Sequence, residues 1–443
     1  MSINNDHTIA VIGAGSAGEA LVRELEHSEE SIVMFEPEYV GGECPFLACM
    51  PSKSMLHDRT RRSWNDAVER RDEIVAHLDD SAHADAAREL GATLVRSRAR
   101  ITDHGAVEAD GTVYAVDHIV IATGAEPVHP DIDGLDPGHD RVWTSRDVLT
   151  AEHRPESVVI VGGGVIGSEL AFMFAGFDTS VTTLDTVDRP ANDLHPKVSG
   201  LIAATLDRAG VRSLFGVEIE RIELTDTAAT VHLRDGSSHT ADRVVIAVGR
   251  TPRRSGLGLE SLGLNPDDLT VSESGRVDGA DSVWVIGDAA GEGQYTHVAN
   301  HQAAVVADHL AGQGRRTFDD VVIPACMFID PPLMIVGPTW NDLRDDPDVV
   351  WAKIDVDPPR SSTDEHGPGF LAVAARRSTG CIVAAHGIGP RFDELAYALV
   401  IAIDGSVPVR RLVQTIQPFP TVGEVLGEAF DALAERLDYP PAS

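Results

Sequence analysis

A chain of 443 residues, 43% hydrophobic and 24% charged, is long enough for two to four domains with cores of their own and too apolar to be disordered. Its 36 basic against 70 acidic residues leave a formal net charge of −34, which argues against nucleic acid or an anionic membrane as partner. With no apolar run as long as a membrane span, and strand-like residues close to the N-terminus, it reads as a cytoplasmic protein. Lysine occurs only at Lys53, Lys197 and Lys353, a scarcity that fits either genome composition or a salt-adapted acidic surface.

Thr8–Ile12 predicts a strand that ends in Gly13-Ala14-Gly15-Ser16-Ala17-Gly18. A helix follows through Leu25, and Ser31–Phe35 returns as a strand ending at Glu36. This is a dinucleotide-binding fingerprint: Gly13 permits the tight turn, Gly15 lets a pyrophosphate approach the backbone, Gly18 allows helix and sheet to pack closely, and Glu36 can accept from a ribose hydroxyl.

Next comes Gly41-Gly42-Glu43-Cys44-Pro45-Phe46-Leu47-Ala48-Cys49-Met50-Pro51-Ser52-Lys53, two cysteines with four residues between them. Pro51 permits a helix to begin there, so unpaired amides and Lys53 would favour a thiolate at Cys49. The alternatives are a stapling disulfide and half a zinc site. Cys326 and Cys381 are isolated and far along the chain, which leaves a zinc ion short of ligands, and no signal peptide speaks for a structural disulfide. The pair reads as a redox-active disulfide.

A long polar helical region is expected from about Ser54 to Leu90, followed by short strands near Thr93–Val95, Ala106–Val107 and Thr112–Tyr114. His118–Thr123 predicts a buried strand with its turn at Gly124. A second fingerprint then appears: Ser157–Val161 feeds Gly162-Gly163-Gly164-Val165-Ile166-Gly167, a helix starts near Ser168, and Thr179–Leu184 ends at Asp185. Gly162, Gly164 and Gly167 repeat the roles above, and Asp185 argues for NADH over NADPH, although Arg189 lies near. Arg243–Pro252 closes this insert with a strand and the glycine turn at Gly249. Ser282–Ile286 delivers Asp288 to the carboxyl edge of a sheet, Thr296–Leu310 reads as a helix, and from about Val321 an α+β domain follows. The expected fold is α/β, with two Rossmann-like dinucleotide-binding domains, the second inserted in the first, and a C-terminal α+β domain. Residues 1–150 and 253–320 would form the first domain, 151–252 the insert and 321–443 the last.

Two fingerprints, one nested in the other, with a CxxxxC pair and an α+β tail, resemble the pyridine nucleotide–disulfide oxidoreductases, the family of glutathione reductase, dihydrolipoamide dehydrogenase and mercuric reductase. The resemblance covers essentially the whole chain and implies FAD, a nicotinamide nucleotide and a homodimer whose active site is shared across the interface. It implies that Gly13, Gly15, Gly18, Glu36, Gly124 and Asp288 hold FAD. Gly162, Gly164, Gly167, Asp185 and Gly249 would serve the nicotinamide nucleotide. Cys49 would be the thiol beside the flavin, Cys44 the outer interchange thiol, and Lys53 would pair with Glu169. The sequence departs from the family in two places. Cys44-Pro45-Phe46-Leu47-Ala48-Cys49 replaces the usual disulfide loop, and Phe419-Pro420-Thr421-Val422-Gly423-Glu424 keeps the glutamate of a His-Pro-Thr-x-x-Glu motif while the histidine is phenylalanine. Both changes are similar to the ketopropyl-coenzyme M carboxylase branch, whereas Ser52-Lys53 is not. The leading expectation is an FAD- and NADH-dependent oxidoreductase whose acceptor is not a routine thiol disulfide. Carboxylase-like or C–S bond chemistry at Cys44, and a degenerate flavin-binding sensor, are the alternatives.

Overall fold

The computed structural model describes residues 2–291, 293–319, 321–356 and 368–438. Positions 320, 357–367 and 439–443, which belong to the expected second FAD-binding segment and C-terminal domain, lie outside the described residues. The chain divides into two compact units, one of residues 1–55, 65–128 and 250–320, the other of residues 56–64, 129–249 and 321–443.

The first unit is built on a six-stranded sheet in the order Arg276–Val277, Ala280–Val285, His118–Ile121, Ile9–Ile12, Ile32–Phe35, Thr93–Val95, parallel except at the first pair. Ile9–Ile12 and Ile32–Phe35 are buried at every position, as expected of strands covered on both faces. One face packs on helices Ser16–Glu24 and Thr296–Leu310 through Ala17, Leu21, Ala299, Ala303 and Val306. The other packs on a four-stranded sheet through Ile101 and Val107. Because the chain runs outward from Ile9–Ile12 in one direction and then returns to His118–Ile121 on the other side, the strand order reverses between these two strands. Open α/β sheets bind ligands at that point, beyond the carboxyl ends of the strands.

The second unit repeats the pattern in a five-stranded parallel sheet ordered Val142–Trp143, Arg243–Ile246, Ser157–Val161, Ser180–Asp185, Arg212–Phe215. Helix Val165–Gly176 follows its first fingerprint strand. A second, antiparallel sheet of five strands, from Pro324–Met327 to Ile382–Ile388, carries helices Phe392–Asp404 and Glu424–Arg436 over a core that includes Leu371, Leu399, Phe430 and Leu433. Two parallel dinucleotide-type sheets and an α+β tail are thus the architecture that the hydrophobic pattern implies. In the first unit Ala125–Pro127 pairs antiparallel with Arg250–Pro252, so the strands at which the chain leaves and re-enters lie side by side. That pairing is how a whole domain can be inserted without disturbing its host.

Local differences have local causes. The expected polar helix over 54–90 is three helices, Cys49–Asp58, Trp64–Ile74 and Ser81–Glu89, interrupted where Ala76, His77 and Leu78 take positive φ. The first begins at Cys49, with Pro51 inside the first turn, where its missing N–H costs nothing. Strand Arg100–Asp103 has only Ile101 buried, so its sequence shows no alternation to read. Among the described residues no helix is long and apolar enough to cross a membrane.

The second unit also buries an imidazole. His386 is fully buried, its Nε2 lies 2.9 Å from the Pro338 carbonyl oxygen, and its Nδ1 has no hydrogen-bond partner among the described residues. Burial pushes its pKa down to about 4, against the partial compensation of the Pro338 carbonyl. Since the folded value lies below the unfolded one, the unfolded chain takes up the proton first. Stability is therefore whole above about pH 6.5 and is lost as pH falls toward 4, by roughly 3 kcal/mol for this group. His386→Gln should flatten the slope of the urea midpoint against pH between 6.5 and 4.5. An unchanged slope would show that other groups carry the acid sensitivity.

Candidate active site

The cysteine loop is held against the first fingerprint turn by two glycines at positive φ. Gly41 and Gly42 have φ of 102° and 74°, and a Cβ on Gly42 would stand 2.7 Å from Gly15 Cα. The Gly41 N–H donates to the Ala14 carbonyl at 2.7 Å. The loop then makes one short helix, Glu43–Phe46, and enters helix Cys49–Asp58. Phe46 and Leu47, part of what sets this loop apart from the usual family loop, are buried with Val75 and against Tyr39 and Leu78. They anchor the segment between the cysteines.

Cys44 and Cys49 are present as free thiols, hydrogen-bonded to one another. The Thr296 hydroxyl, at the start of helix Thr296–Leu310, donates to Cys44 Sγ at 3.2 Å and lies 3.9 Å from Cys49 Sγ. The Cys44 thiol is the main cause that brings the Cys49 pKa down to about 6; Thr296 and the Lys53 charge add to it, against burial. Cys44 is driven the opposite way by the same hydrogen bond and by burial. Near neutral pH the pair therefore holds one proton, on Cys44, with the negative charge on Cys49. Sequence reasoning credited a thiolate at Cys49 to the helix start and Lys53, and it missed Thr296, which lies 247 residues from Cys49 and carries no motif. Sequence reasoning also missed an ion-pair cluster beside Cys44. Arg250 Nη2 lies 2.5 Å from Glu43 Oε2 and 2.6 Å from the Ala125 carbonyl, and Arg253 Nη2 is 3.4 Å from Glu43 Oε1. The one available signal was a carboxylate directly before the first cysteine.

The two fingerprint turns are built alike. Gly13 and Gly162 have φ of 107° and 109°, and a Cβ on either would overlap a carbonyl oxygen, of Ala122 and Ala247 respectively. A Cβ on Gly18 or Gly167 would overlap the carbonyl oxygen of Gly13 or Gly162. At Gly15 a Cβ would meet only Gly42 Cα, at 3.7 Å, and at Gly164, Gly124 and Gly249 nothing within 4 Å. These four positions have room for a ligand to approach the backbone. Glu36 accepts the Ala14 N–H at 3.0 Å and the Glu38 N–H at 2.8 Å, and burial raises its pKa. Asp185 accepts the Gly163 N–H at 2.5 Å and the Val187 N–H at 3.2 Å, while Arg189 donates to the Asn192 carbonyl at 2.7 Å. Asp288 follows strand Ala280–Val285 in a 3₁₀ turn; burial raises its pKa and the Arg250 charge lowers it. Such cradles, with a carboxylate at the end of each second strand, fit two dinucleotides, including FAD.

Lys53 lies one turn beyond Cys49 on the same helix. Glu169, 6% exposed in helix Val165–Gly176, accepts the Phe328 N–H at 2.8 Å in the second unit. Phe419 belongs to that unit too and is 75% exposed, and Glu424 begins helix Glu424–Arg436 with its carboxylate 3.2 Å from the Thr421 N–H.

Comparison with known proteins agrees with this geometry. Dihydrolipoyl dehydrogenase of Haloferax volcanii is 29% identical over 97% of each chain. Mercuric reductase of Staphylococcus aureus is 24% identical over 96% of this chain and 82% of its own. Among solved structures, the Cu(II) complex of the HOCl-induced flavoprotein disulfide reductase RclA from Escherichia coli superposes with a TM-score of 0.87 at 26% identity, covering 96% of this chain and 99% of that one. Residues 7–303 match the pyridine nucleotide-disulphide oxidoreductase family and residues 323–430 its dimerisation domain. The chain thus belongs to the pyridine nucleotide–disulphide oxidoreductases, FAD-dependent enzymes that work with a pyridine nucleotide, and carries the domain through which the family forms homodimers.

Proposed function

We propose that this enzyme takes reducing equivalents from NADH and delivers them, through the Cys44–Cys49 pair, to a small acceptor other than an exchangeable thiol disulfide. In this reading residues 1–150 and 253–320 bind FAD, 151–252 bind the nicotinamide nucleotide and 321–443 pair two subunits. Gly13, Gly15, Gly18, Glu36, Gly124 and Asp288 hold the FAD; Gly162, Gly164, Gly167, Asp185 and Gly249 hold the nucleotide. FAD, when bound, supplies the two-electron chemistry that couples a nicotinamide to a dithiol. Lys53 and Glu169 form a charge pair, and Phe419 and Glu424 face the partner subunit's Cys44. The enzyme works in the cytoplasm.

The observation that carries the reading is Phe419. Release of a thiol product from Cys44 needs a proton for the leaving sulfur, an imidazole near pKa ~6.5 supplies one, and losing such a group typically costs ~10²–10⁴-fold. A soft metal ion, which takes up electrons without a proton, escapes that requirement; a quinone has no leaving sulfur, and its hydroquinone oxygens can take their protons from water. The names of two relatives support it: one is a mercuric reductase, the other is solved with Cu(II). Carbanion chemistry at Cys44 also rests on Phe419 and on the Cys44-Pro45 and Ala48-Cys49 ends of the loop, but this chain keeps Ser52-Lys53, which the ketopropyl-coenzyme M carboxylase branch does not share.

The test offers the reduced enzyme a panel of disulfides, metal ions, quinones and thioethers, with and without bicarbonate, driven by NADH or NADPH. A metal ion or quinone should be turned over at least tenfold faster than lipoamide or glutathione disulfide. NADH should exceed NADPH by one to two orders of magnitude in kcat/KM, because the Asp185 carboxylate repels a 2′-phosphate at a cost of ~1–3 kcal/mol. Fast lipoamide turnover would overturn the acceptor, NADPH preference the nucleotide, and a bicarbonate-dependent carboxylate product would favour the carbon chemistry.

A further inference from the structure

We propose that the Thr296 hydroxyl stabilises a thiolate on Cys44, doing for this outer sulfur part of what an imidazole at position 419 would do. The inference rests on the reading above in one respect, that Cys44 is the sulfur facing the acceptor. Its basis is geometric. Thr296 is the first residue of a helix of 15 residues whose N-cap is Tyr295. Its hydroxyl is aimed at the sulfurs, 3.2 Å from Cys44 Sγ and 3.9 Å from Cys49 Sγ. The shorter contact is with Cys44.

The proton balance follows from the pair itself. The reduced pair holds one proton, on Cys44. When Cys44 must act as nucleophile or electron donor, that proton passes to the Cys49 thiolate, and the negative charge passes to Cys44; nothing enters from outside and no electrons move. In the first state the hydrogen bond between the sulfurs and the positive Lys53 favour charge on Cys49. In the second, the Thr296 O–H points at the new thiolate, and hydrogen bonds to a charged acceptor are the strong ones. Threonine is suited to this because its Cβ branch restricts χ1, so the hydroxyl stays on the sulfurs when the charge moves.

The experiment uses reduced holoenzyme carrying Cys49→Ser, which removes the competing thiolate, and follows alkylation of the Cys44 peptide by iodoacetamide against pH by mass spectrometry. Adding Thr296→Val, which keeps the branched shape and deletes the hydroxyl, should slow alkylation about tenfold at pH 7.5 and move its pH profile upward by about one unit. Thr296→Ser should restore the rate to within about threefold. Bound-flavin absorbance and thermal midpoint report whether each variant is folded; should Thr296→Val not fold, Thr296→Ala takes its place with the same expectation. An unmoved profile, or failure of serine to restore it, overturns the proposal. The readout needs no acceptor, so it can fail while the acceptor panel succeeds, and the reverse.

Discussion

Phe419→His is expected to raise turnover of lipoamide and glutathione disulfide by about ten- to a hundredfold, the lower part of what a positioned imidazole contributes. Phe419 is 75% exposed in the single chain and Ile416 is 96% exposed, while Tyr397 and Ile401 on helix Phe392–Asp404 are exposed as well. All four lie within residues 323–430, the dimerisation domain through which the family forms homodimers. In the reading proposed above, position 419 faces the partner subunit's Cys44, and a histidine there has Glu424 five residues on to orient it. Phe419→Leu keeps the site apolar and should leave disulfide turnover low. The same histidine should harm any reaction that depends on an unprotonated carbanion. Fast wild-type disulfide turnover, indifferent to both substitutions, would show that another group, such as His57 or His301, supplies the proton.

Substituting the cysteines should separate their roles with effects of about 10³-fold or more on acceptor turnover. The reduced wild-type protein should show a long-wavelength thiolate-to-flavin band that develops as pH rises through about 6, where Cys49 ionises. Cys49→Ser should abolish the band. Cys44→Ser should retain one without reductant, and Cys44→Ala, which deletes the hydrogen bond that contributes most to lowering the Cys49 pKa, should shift its appearance to higher pH. A band that survives Cys49→Ser and vanishes in Cys44→Ser would reverse the assignment of the two sulfurs.

Much of this was legible in the chain because local rules carried it. The buried runs Ile9–Ile12 and Ser157–Val161, each followed by glycines at fixed spacing and an acid at the next strand end, mark two parallel units, since only glycine fits where a Cβ would strike the Ala122 or Ala247 carbonyl. The CxxxxC pair, the nested order of the fingerprints and the Phe419 substitution are likewise properties of sequence alone. What the tertiary structure decided is who stands beside the sulfurs. Thr296 reaches Cys44 from 252 residues away and Arg250 reaches Glu43 from 207. Neither contact leaves a periodicity or a motif, because each is made by two elements whose own residues are chosen for helix or strand. The same holds for His386, whose burial comes from the packing around its strand rather than from its neighbours in the chain. Backbone turns and periodic faces are encoded within a few residues, whereas the ionisation of a thiol or an imidazole depends on whatever the fold places within hydrogen-bonding distance and on how much water it removes.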